Sequence, residues 1–145
     1  MTKQVTIIFA LFFLFASACQ NDPKSAAEQE YETYYDSGML IHDRTMPMMG
    51  HLENLRNQLQ EERRNVINTD SNRYRKVVNL LGELNKAEDA MFTWMNEFDP
   101  DAVNPEQKVA YIQSELRKVK HMEGLMVGGI GMAESYLEEY VPQQE

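Results

Sequence analysis

Apolar side chains recur every three or four residues over three long stretches of this chain, the period of a helix that buries one face. The first stripe runs through Tyr35, Met39, His42, Met46 and Met49, then Leu52, Leu55, Leu59 and Val66. The second takes Val77, Leu81, Leu84, Glu88, Met91, Met95 and Phe98 in alternating steps of four and three. The third takes Val109, Ile112, Leu116, Val119, Glu123, Met126, Ile130, Ala133 and Leu137. Strand-type alternation is scarce beside these stripes.

The boundaries carry their own signals. Ser25-Ala26-Ala27-Glu28 is a capping-box pattern, and Thr69-Asp70-Ser71-Asn72 supplies turn and cap residues. Asp99-Pro100 stops the second stripe, Asn104-Pro105-Glu106-Gln107 starts the third with proline at N1, and Pro142 marks its end. Connections this short make successive helices antiparallel. The expectation is an all-α, up-down-up three-helix bundle over residues 25–141, with coiled-coil-like packing and a tail at 142–145. Pro47, with Gly50 behind it, interrupts the first stripe by removing a backbone donor. Because the stripe keeps its phase across the proline, one helix kinked near Pro47 is favoured. The alternative is a four-helix bundle in which residues 25–44 fold back. Glycines 124, 128, 129 and 131 weaken the last helix and permit close backbone approach.

Ahead of the bundle lies a different kind of segment. Lys3 is followed by the apolar run Val5–Phe15 and by Ala16-Ser17-Ala18-Cys19. The run is shorter than the roughly 20 residues a spanning helix needs, and its flanks and small residues fit an export signal at 1–18. Its ending resembles the lipobox of bacterial lipoproteins, which implies a lipidated Cys19 as the first mature residue. The polar segment 19–24 then reads as a tether holding the domain at a membrane surface. Cleavage by an ordinary signal peptidase would instead leave Cys19 as a free thiol. By resemblance to lipoproteins of diderm bacteria, Gln20 after the cysteine leans towards the outer membrane. Cys19 is the only cysteine, so it has no disulfide partner within the chain.

Charge narrows the partners. The formal net charge is −9, and losing Lys3 with the signal makes the mature part more acidic still. An acidic chain without a basic stripe argues against nucleic acid and against electrostatic binding to anionic lipid. Phosphate loops, nucleophile elbows, HExxH, CxxC and solenoid repeats are all missing from the sequence. Nothing in the motifs points to an enzyme.

One cluster has candidate chemistry. The register set by the two turns brings Met46 level with Met95, Met49 level with Met91 or Phe92, and His42 towards the Phe98 end. His42, Met46, Met49, Met91 and Met95 then form a thioether and imidazole set of the kind that holds cuprous copper. Methionine is also an ordinary core filler, and His42 can be satisfied by a neighbour such as Asp43. Glu88 and Glu123 occupy core-phase positions and call for partners: His51 or Arg56 for the first, Arg63 or Asn79 for the second. His121 and the charged stretch 60–64 read as solvated. Tyr31, Tyr34 and Tyr35 at one end, and Tyr136, Leu137, Tyr140 and Val141 at the other, extend past the turns as possible contact surfaces.

The segments Met39-Leu40-Ile41-His42-Asp43, Met46-Pro47-Met48-Met49 and Ala90–Pro100 resemble small helical lipoproteins of Bacteroidota. The resemblance implies a helical envelope lipoprotein and attaches no activity. The expected function is therefore a lipid-anchored binding or structural module, needing no cofactor and acting on an envelope protein or on itself. A copper-binding protein is the alternative.

Overall fold

The computed structural model describes residues 24–141; the export segment, Cys19 and the tail at 142–145 lie outside the described residues. Four helical segments follow one another: α1 (Ala26–Thr45), α2 (Met48–Val66), α3 (Ser71–Glu97) and, after a 3-10 turn at Pro105–Gln107, α4 (Lys108–Tyr140). The described residues contain no strand. The caps form as their residues dictate. Ser25 Oγ accepts from Glu28 N–H at 3.2 Å while Glu28 accepts from Ser25 N–H at 2.7 Å. Asp70 accepts from the N–H groups of Asn72 and Arg73, both at 3.0 Å.

α1 and α2 are two halves of one bent rod, so the chain is a three-helix bundle and the fold-back to four helices does not form. Met46 and Pro47 keep right-handed helical angles, and Met46 N–H still reaches His42 C=O at 2.8 Å. Pro47 has no N–H to offer, and Met49 bonds instead to Met46 C=O, three residues back, at 3.2 Å. Thr45, fully buried, donates its hydroxyl to Ile41 C=O at 2.7 Å, a bond that also bends helices.

The bend decides the packing. α2 lies against α3, whereas no Cα of α1 comes within 8 Å of α3; α1 packs on α4 instead. α4 runs parallel to α1–α2 and antiparallel to α3, and it touches all of them. It accordingly buries a wide stripe: Ile112, Leu116, Val119, Met122, Met126, Ile130, Ala133 and Leu137 among others.

The buried seams correct the expected phase. In the first rod the seam is Gly38, Ile41, Thr45, Leu52, Leu55, Leu59, Glu62 and Val66, with half-buried Met48 completing a strict three–four alternation. Met39, His42, Met46 and Met49 lie one position off it. In α3, Ala87 and Trp94 are buried where Glu88 and Met95 were expected, and in α4 Met122 takes the place of Glu123. The stretch 60–64 is not wholly solvated, because Glu62 is buried.

The glycines of α4 divide by environment. A Cβ on Gly129 would meet the Glu83 carbonyl oxygen and Leu84 Cδ2, each at 3.5 Å, which marks close approach to α3. A Cβ on Gly124, Gly128 or Gly131 would meet nothing within 4 Å. Alanine at each of these three should stabilise the chain in dilute solution by about 0.5–1 kcal/mol, read by urea denaturation. Falling stability at all three would show that the monomer itself needs these glycines.

Candidate functional site

The gap between α1 and α3 is closed by rings rather than by backbone approach. Tyr31 stacks on Tyr35 with centroids 6.0 Å apart, and Tyr35 meets Phe98 at the same distance. Phe98 meets Trp94 at 4.9 Å, and Trp94 meets the imidazole of His42 at 5.4 Å. Tyr111 of α4 joins from the side, 6.3 Å from Phe98, and accepts the N–H of Asp99 at 2.8 Å. Such offset pairs contribute on the order of 1 kcal/mol each beyond area burial. The tyrosines of α1 are thus half-buried on the α3–α4 turn and do not project past it. At the far end Tyr136 and Leu137 are buried as well.

His42 is the most distinctive polar group in this column. Its Nδ1 lies 3.1 Å from the Asp43 carboxylate, while Nε2 is buried without a hydrogen-bond partner. The indole N–H of Trp94, the ring against it, is also buried and unpartnered. The methionines grouped with His42 lie at different depths. Met91 is fully buried in the core, Met49 is half-buried against it, and Met46 and Met95 are 37% and 40% exposed. The structure therefore leaves Met46 and Met95 as the methionines at the surface near His42: one a turn along α1, the other next to Trp94. Among the described residues no three His, Cys, Asp or Glu side chains gather as a metal-holding group.

The polar groups that matter to the bundle are interhelical pairs. Glu88 is half-buried and takes the guanidinium of Arg56, as expected, while His51 bonds Glu134 of α4 at 2.7 Å. Glu123 pairs neither with Arg63 nor with Asn79. Arg44 grips it with two bonds of 2.5 and 2.7 Å, and this bonding holds the Glu123 carboxyl below its ordinary range. The parallel course of α1 and α4 puts residues 44 and 123 level, a relation that helix phase alone does not contain.

Three charged side chains escaped the reading of the stripes. Glu62 is buried at the α2–α3 turn, where it takes the guanidinium of Arg73 and the hydroxyl of Tyr136 at 3.0 Å. Arg73 also donates to Tyr140 C=O at 3.1 Å, which ties α2, α3 and α4 together. Burial pushes the Tyr136 phenol above its ordinary pKa, so it stays a donor. Glu115 is buried too, with one oxygen 2.9 Å from Lys118 Nζ and the other unpartnered. Glu62 completes the strict three–four seam of its helix, which was the available signal.

On the opposite side a groove of about 1080 Å³ lies between α3 and α4. Lys76, Leu80 and Glu83 form its α3 wall. The α4 side carries Val127 and Met132, exposed by 54% and 48%, on either side of Gly128 and Gly131. No helix among the described residues is long and apolar enough to cross a membrane. Comparison with protein-family models, with curated proteins and with solved structures finds no match.

Glu62→Ala would strand Arg73 and the Tyr136 hydroxyl without their shared acceptor. It is expected to cost about 1–3 kcal/mol of unfolding free energy, discounted because Arg73 is partly solvated. A cost within about 0.5 kcal/mol, measured by urea denaturation, would mean that the cluster does not hold the three helices together.

Proposed function

We propose that this chain is a lipid-anchored binding module of a bacterial cell envelope, held at the outer membrane through Cys19 and working through the α3–α4 groove. The observation that carries the binding role is the groove itself. It is open and apolar at Val127 and Met132, and its lining includes Gly128 and Gly131, whose Cβ positions are empty. Buried or half-buried acids at 62, 88 and 123 are spent on partners from other helices, a structural use. The anchor rests on the lipobox-like ending Ala16-Ser17-Ala18-Cys19 and the apolar run before it.

One experiment in cells examines both parts. A photo-crosslinking residue is placed at Val127, Met132 or, as a control, Leu40, and membranes are separated from soluble protein. The chain is expected in the membrane fraction, with adducts from 127 and 132 and none from 40, and Cys19→Ser should release it. Absence of adducts from the groove positions removes the binding role. Membrane retention of Cys19→Ser removes the anchor.

A second reading, a cuprous-ion site, is favoured by the state of His42. A carboxylate on Nδ1 and a free, buried Nε2 is how a ligating imidazole is held. Met46 and Met95 would supply thioethers from the surface. Competition titration with cuprous ion should give one tight site per chain, lost in both His42→Ala and Met95→Leu. Binding no tighter than that of a methionine-poor control protein rejects the site.

A further inference from the structure

The exposed side of α4 is patterned in a way that the bundle does not use. Arg117, Lys120, His121, Gly124, Gly128, Gly131, Ser135, Glu138 and Glu139 fall on one face at helical spacing, and all but half-buried Gly131 are exposed. The N-terminal part of this face is basic, the middle is small, and the C-terminal part is acidic. Val127 and Met132 border the middle on its two sides. Arg117, Lys120, Glu138 and Glu139 take part in no ion pair among the described residues.

A face that runs from basic through small to acidic is complementary to itself only when reversed. Placed antiparallel on a second copy about a two-fold axis near Gly128 and Gly131, Lys120 faces the partner's Glu138 and the partner's Lys120 faces Glu138. In the same register Gly124 meets Ser135 and Gly128 meets Gly131, while the two Val127 side chains flank one side of the seam and the two Met132 side chains the other. Both charge pairs and the size pairs close together, as an isologous contact requires. A parallel pairing would set Lys120 against Lys120 and Glu138 against Glu138. The glycines allow the two α4 helices to approach to about 8 Å, the near end of the range for packed helices. Each Met132 then lies on the α3 side of the seam, over the groove of the other copy.

We infer that the α4 face and its groove join two copies of this chain in an antiparallel pair. The inference rests on the binding role of the groove and names its occupant as a second copy. It also gives a use to three glycines whose Cβ positions are empty within one chain.

Sedimentation velocity of the purified full chain in neutral detergent tests it. The wild type is expected to carry two copies per particle. Lys120→Glu and Glu138→Lys each convert both symmetric pairs to repulsion, so each should weaken association about tenfold or more. Mixing these two variants in equal amounts should restore the pair, because changed then faces changed and native faces native. Gly128→Ala, with its thermal midpoint not lowered, should also shift the chain to one copy. A wild type that remains single at about 100 µM overturns the pairing, as does a mixture that fails to recover. Groove adducts in cells beside a single-copy wild type would leave the groove a binding site and refute the second copy.

Discussion

The missing amide hydrogen of Pro47 is the constraint on which the rest of the arrangement depends. Without that donor the first rod bends, and its two halves take different neighbours: α2 lies on α3, and α1 leans onto α4. Thr45 assists by turning its hydroxyl back onto Ile41 C=O, so a buried polar group is satisfied inside its own helix. The bend opens a gap between α1 and α3, whose Cα atoms nowhere come within 8 Å. Trp94, Phe98, Tyr35 and His42 close it, which explains why the aromatic residues gather at that end.

Polar pairs then lock the helices lengthwise. A uniform apolar seam tolerates sliding by a heptad, because one leucine replaces another at little cost. Pairs between specific acids and bases remove that freedom. Arg44 with Glu123 fixes α1 against α4, Arg56 with Glu88 fixes α2 against α3, and the Glu62 cluster fixes three helices at the far turn. Exposed pairs of this kind add little stability, whereas the buried Glu62 cluster would be costly to break. Their shared effect is register.

The α3–α4 face lies on the side of α4 away from the bend. There α4 keeps its glycines open, and Gly129 alone is used for close approach to α3. In the antiparallel pair proposed above, each copy covers the groove of the other and keeps its apolar side chains from water.

Helix number, helix ends, the bend and the bundle class were legible from residues alone, because each is set locally. Ser25 and Glu28 make their capping box wherever the chain goes, Asp70 caps α3 from its own side chain, and Pro47 lacks its donor in any context. Phase was less legible. Gly38, Thr45 and Glu62 interrupt the true seam of the first rod, while Met39, His42, Met46 and Met49 imitate a seam one residue away. The candidate site was read in part: His42 beside Asp43, and Glu88 with Arg56, are where short-range register puts them. Arg44 beside Glu123, Trp94 rather than Met95 in the core, and the groove over Gly128 were decided only when three helices met. Local hydrogen bonding and steric limits belong to the sequence. Which of two adjacent side chains is buried depends on the width of the gap it must fill, and only the packed bundle sets that width.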